Sequence, residues 1–340
     1  MAQQGSEGKD FLSDAESLTG TRTQHLLKPC SASASLAFKR IDQQRGLTPF
    51  TLPSLNPLKL SRQLVVALVA LVVIGGATRV MEAGLACPDW PLCYGSLLPS
   101  REMNLQVFLE WFHRLDAFFV GIGLIVLLVS SLINRASGPR WLPWLSGLAL
   151  LLVATQGALG ALTVSQLLRF DIVTAHLATA LLLVALLSAI AQLLNPALPG
   201  PRPRGAGLLA VVAGVLVFGQ CVAGALMATQ WASGRCLRLA EGCAWLSAHR
   251  SLATPAASCC ALLAILLLAF PCPIAARRLG VAAGALAACQ VVLGVLTLKL
   301  ALAEPLVTVA HQLLAALLVA TLPAVALALR PNSPLELSHG

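Results

Sequence analysis

From Gln63 to Leu329 the chain alternates long apolar runs with short polar interruptions. Each run is about 20 residues, the length a helix needs to cross a bilayer core. The pattern predicts eight spans, at 63–81, 106–133, 142–165, 171–194, 207–230, 245–270, 280–299 and 306–329. Pro255 in the sixth and Pro323 in the eighth are expected to kink their helices. Residues 1–62 are polar and Ser-rich, which predicts a disordered tail. Glu7, Asp10, Asp14, Glu16 and Asp42 depart from the acid-poor pattern of a transit peptide. Residues 331–340 form a second short tail.

The apolar runs repeat. Gln156-Gly-Ala-Leu-Gly160-Ala-Leu-Thr163 is echoed by Gln290-Val-Val-Leu-Gly294-Val-Leu-Thr297, and His113-Arg114 by His249-Arg250. Val173-Thr-Ala-His176 is echoed by Val307-Thr-Val-Ala-His311. Four spans per unit give both units the same orientation. The expected fold is an all-α polytopic membrane protein, built as two same-orientation four-helix bundles. One bundle covers 63–195 and the other 207–330, joined by a cytoplasmic linker at 196–206.

Composition agrees with a membrane chain: 57% of the 340 residues are hydrophobic and 11% charged. A soluble domain would carry about a quarter charged residues. The net charge of +9 is spread through tails and short loops, and there is a single tyrosine, so neither a basic stripe nor a base-stacking surface for nucleic acid is present. Arg135 and Arg140, Arg202 and Arg204, and Arg277 and Arg278 occupy three short loops that contain no acid. Arg330 follows the last span, and the intervening loops mix both signs. The positive-inside bias therefore places both termini in the cytoplasm or its equivalent. Cys87/Cys93 and Cys236/Cys243 each bracket a polar loop on the opposite, outer side. Neither loop holds a histidine, and disulfides are the reading that suits an oxidising compartment.

Of six histidines, His25 and His339 lie in the tails. His113, His176, His249 and His311 each lie a few residues into an even-numbered span, at matched depth near the outer face. A histidine in an apolar helix commonly bonds to a neighbouring helix. Four at one depth, paired within each unit, favour axial ligation of haem iron. A non-haem metal or a proton relay would also use such residues. Arg114 and Arg250, next to two of the histidines, are candidate partners for haem propionates, as is Arg79. Glu110 lies three residues before His113 and shares its helix face, whereas Leu246 stands three before His249. An ionisable residue inside a membrane helix is a functional candidate by default.

Gly75-Gly-Ala-Thr-Arg79, Gly84-Leu-Ala-Cys87-Pro-Asp-Trp-Pro-Leu-Cys93 and Glu110-Trp-Phe-His113-Arg114 resemble the signatures of the haem A synthase family. The resemblance runs from about Gln63 to Arg330 and excludes the N-terminal tail. It implies oxidation of the C8 methyl of haem O to the formyl of haem A, the cofactor of aa3-type terminal oxidases. It also implies that His113 and His176 flank the substrate haem, that His249 and His311 ligate a haem b cofactor, and that Glu110 is the catalytic carboxylate. Haem O synthase, an electron-transfer protein and membrane lipid are the implied partners. A di-haem b-type electron-transfer protein would share the ligands but has no need of Glu110, and a repeat-built transporter would use the histidines for protons or substrate.

Overall fold

The computed structural model describes residues 56–197, 199–232 and 244–331, with backbone only at 230–232. The eight helices are α1 (Pro57–Val80), α2 (Leu105–Ile133), α3 (Leu142–Ser165) and α4 (Phe170–Leu193), followed by α5 (Ala206–Ala232), α6 (Ala244–Ala269), α7 (Ile274–Lys299) and α8 (Pro305–Ala328). All eight are long and apolar enough to cross a membrane. No strand occurs among the described residues.

Two helices begin six residues earlier than the apolar runs suggest, α1 at Pro57 and α7 at Ile274. Lys59 and Arg62 interrupt the hydropathy of the first, Arg277 and Arg278 that of the seventh, but none of them breaks a helix. At α1 the start is fixed by capping: Asn56 Oδ1 accepts the N–H of Leu58 at 3.0 Å and of Lys59 at 3.2 Å, and Pro57 presets the first turn. Pro255 and Pro323 lie inside continuous helices.

Helices α1 to α4 pack in sequence, and α1 also meets α4; α5 to α8 do the same. The two sets join where α8 packs on α1 and α4, and where α4 packs on α5. The core follows this seam. Leu183, Val184, Leu187 and Ile190 of α4 and Leu322 and Val325 of α8 are fully enclosed, and Ser188 Oγ donates to the Ala320 carbonyl across the two helices. Outward-facing Phe118, Phe119 and Leu208 remain exposed, as lipid-facing side chains should be.

The hairpin turns after α3 and α7 are duplicates. Leu167 and Leu168 take positive φ, as do Ala301 and Leu302, 134 positions later. The Leu168 N–H reaches the Thr163 carbonyl at 2.8 Å, and the Leu302 N–H reaches that of Thr297 at 3.0 Å. These bonds satisfy carbonyls that a helix end leaves open. Both turns thus start α4 and α8 at the same height relative to the preceding helix, and each of those helices carries a histidine near its start.

Candidate functional site: two facing histidine pairs and one buried acid

His113 on α2 faces His176 on α4, with ring centres 6.5 Å apart and planes at 72°. His249 on α6 faces His311 on α8 with the same 6.5 Å separation, at 79°. An imidazole nitrogen binds a metal at about 2 Å and lies roughly 1 Å from its ring centre, so two imidazoles on opposite sides of one iron have centres about 6 Å apart. Both pairs have that spacing. Among the described residues no group of three or more His, Cys, Asp and Glu converges. Two imidazoles alone cannot complete a coordination shell for a bare ion, but a porphyrin brings four nitrogens of its own. The donor set fits haem.

Sequence reading missed what seats the rings. Each histidine lies against a glycine of the helix before it. A Cβ added at Gly75 would sit 2.8 Å from His113 Cε1, at Gly224 2.7 Å from His249 Cε1, and at Gly294 3.0 Å from His311 Cε1. At Gly160 the corresponding distance to His176 is 3.7 Å, an ordinary contact. One turn before three of these glycines stands a glutamine: Gln156, Gln220 and Gln290; before Gly75 the position is Leu71. His249 Nδ1 lies 3.0 Å from the Gln220 carbonyl, which holds the Nδ1–H tautomer and leaves Nε2 as the lone pair for a metal. The Gln220 and Gln290 amides lie 3.4 Å and 3.3 Å from Nε2 of His249 and His311, while Gln156 turns to the His176 carbonyl at 2.9 Å. The Nδ1 atoms of His113, His176 and His311 are buried without a hydrogen-bond partner among the described residues. A recurring Gln-x-x-x-Gly was the available signal.

Glu110 distinguishes the first pair. It is 4% exposed, the one buried carboxylate among the described residues. Its Oε2 accepts the Cys87 N–H at 2.8 Å and its Oε1 pairs with Arg114 Nη2 at 2.5 Å. Arg114 Nη1 donates to the Asp89 and Leu92 carbonyls at 2.6 and 2.5 Å. The guanidinium expected at a propionate is therefore engaged by the loop between α1 and α2. That loop is closed by the Cys87–Cys93 disulfide, with Cα atoms 4.8 Å apart. Asp89 accepts the Tyr94 and Gly95 N–H groups at 2.6 and 2.8 Å, and these bonds, that from Gly95 foremost, hold its carboxyl below the usual range.

Arg79 lies one turn beyond Gly75 on α1 and takes part in neither ion pair found among the described residues, Arg114–Glu110 and Arg169–Asp171. Arg250 is exposed next to His249. The proposed Cys236–Cys243 bridge lies outside the described residues.

Residues 60–322 match the family described as cytochrome oxidase assembly protein, COX15-CtaA. The chain belongs to that family. Curated relatives include the Heme A synthase of Shewanella oneidensis, 30% identical over 188 residues that cover 49% of this chain and 56% of the relative. The Heme A synthase of Sphingopyxis alaskensis is 32% identical over 201 residues, 47% of this chain and 56% of the relative. That of Rhodopseudomonas palustris is 33% identical over 199 residues, 48% and 54%. The chain spans about half the length of the curated relatives it matches. As a COX15-CtaA member with eight apolar helices, it is a multi-pass membrane protein.

Proposed function

We propose that this protein is a haem A synthase, which oxidises the C8 methyl of haem O to the formyl group of haem A for aa3-type oxidases. The carrying observation is an asymmetry. Both histidine pairs have the spacing for one iron, but among the described residues only the His113/His176 pair has a buried acid one helical turn away, tied to a disulfide-closed loop. The relatives named Heme A synthase support the same reading.

In this reading the two sets of four helices are same-orientation bundles, with both termini cytoplasmic and the cysteine loops outside. The first bundle takes haem O between His113 and His176, and the second holds haem b between His249 and His311. Bound iron supplies the oxidative chemistry, and the protein supplies ligation, orientation and field. Gly75 lets the His113 ring approach α1, while His176 has room beside Gly160. Glu110 stands ready to accept a proton released as methyl hydrogen is removed. The loop over it excludes water, and its carbonyls keep Arg114 in place beside the carboxylate. Arg79 and Arg250 are the cations left for propionates.

Pigment extraction tests this directly. Protein purified from cells supplied with haem O should carry haem b together with haem O and haem A. A colourless, well-folded preparation would refute ligation, and haem b alone despite a haem O supply would refute the synthase.

A further inference from the structure

At the end of the bundle away from the histidines, Arg62, Val65 and Val66 of α1 meet Ser188, Ala191 and Gln192 of α4 around an outward-opening cavity of about 300 Å³, with Arg62 and Val66 exposed at its mouth. Asn195 and Ala324 complete its wall. Its polarity is graded along α1: the guanidinium lies at the rim, and the two valines one turn further along the helix.

The arginine is held, not loose. Asn195 Nδ2 donates to the Ala191 carbonyl at 3.0 Å, and this presents its Oδ1 to Arg62 Nη2 at 2.7 Å. Arg330 adds a second fixed cation on the same helix end. It donates to the Gln192 carbonyl at 2.9 Å and to that of Asn195 at 2.5 Å. Arg62 takes part in neither ion pair among the described residues. Lys59, Arg62, Arg135, Arg140, Arg202, Arg204, Arg277, Arg278 and Arg330 all lie at this end of the helices, and no acid among the described residues does.

We propose that this seam cavity is a binding site for an anionic phospholipid, its headgroup phosphate on Arg62 and its acyl start against Val65 and Val66. Basic pockets between membrane helices recognise such headgroups. The occupant must be amphipathic because the site is, and anionic because the cation at its mouth has no carboxylate partner among the described residues. Since α1, α4 and α8 all border the cavity, the lipid would brace the seam between the two sets of helices.

The full chain in neutral detergent is titrated with phosphatidylglycerol or phosphatidylcholine while its thermal midpoint is followed. Phosphatidylglycerol should raise the midpoint saturably and phosphatidylcholine should not. Arg62→Gln should raise the half-saturating lipid concentration about fivefold, the effect of one basic residue near a membrane surface. Val65→Trp should abolish the shift by filling the cavity with the charges intact, and it serves alone if Arg62→Gln fails to fold. Arg140→Gln, in the loop between α2 and α3, should change nothing. Equal protection by phosphatidylcholine, an equal loss in Arg140→Gln, saturable binding by Val65→Trp, or the same shift from inorganic phosphate would each overturn the site.

Discussion

The Glu110 carboxylate accepts the Cys87 N–H at 2.8 Å, so the acid buried beside the first histidine pair is also the anchor of the disulfide loop. Its two oxygens have separate duties. Oε2 holds the loop, and Oε1 holds Arg114, which in turn holds the loop at the Asp89 and Leu92 carbonyls.

This double engagement separates two substitutions that are usually treated alike. Glu110→Gln keeps an acceptor for the Cys87 N–H but cannot take a proton. It should retain haem b and a closed loop while haem A output falls by about 100-fold or more, the range of a lost general base. Glu110→Ala should lose output and loosen the loop as well. Pigment analysis and loop proteolysis read the two effects independently. Unchanged haem A output in Glu110→Gln would remove the acid–base role.

The loop itself gives a second test. Cys87 is fully enclosed and Cys93 nearly so, and the two are bonded. Neither should react with a membrane-impermeant maleimide until reductant is added, and after reduction both should label from the outer side only. Labelling without reductant would rule out the bridge, and labelling from the opposite side would invert the proposed topology.

The eight spans, the histidine set and the acid were legible because each is written in residue type and period: apolar length marks a span, and a polar group inside one is conspicuous. What was not legible depends on contacts between helices. Arg114 looks like a propionate partner by its position beside His113. Only the folded loop brings the Asp89 and Leu92 carbonyls to its donors. The early starts of α1 and α7 were hidden because hydropathy weighs Lys59 and Arg277 as interruptions, whereas helix geometry is indifferent to them. Gly224 reads as an ordinary glycine in an apolar run, and Gly75 only as part of a family signature, until the rings they admit are seen.

Asp89 gives the loop a pH dependence. Its bonds to the Gly95 and Tyr94 N–H groups depress its folded pKa, so its contribution is complete above the unfolded value of about 4 and is lost as pH falls through the lower folded value. Proteolysis at the loop should therefore be flat from neutral pH to about 4 and rise below it. Asp89→Asn should give at neutral pH the susceptibility that the unaltered loop shows only in acid. A rise centred near pH 6 would assign the effect to another group.

The glycines offer the most graded test, because the space differs at each. Gly224→Ala places a methyl 2.7 Å from His249 Cε1, so the imidazole has to swing out of its seat. Haem b should be lost, with the Soret band reduced several-fold. Gly75→Ala meets His113 at 2.8 Å and should spare haem b while abolishing haem A. Gly160→Ala meets His176 at 3.7 Å and should be close to neutral in both. The order follows from distance and from which pair is struck, not from helix propensity, since alanine favours a helix at every one of these positions. If all three variants lost haem b alike, general helix misfolding would explain them and the assignment of one pair to substrate and the other to cofactor would fail. If Gly75→Ala kept full output, His113 would not need its present seat, and the substrate would have to lie elsewhere.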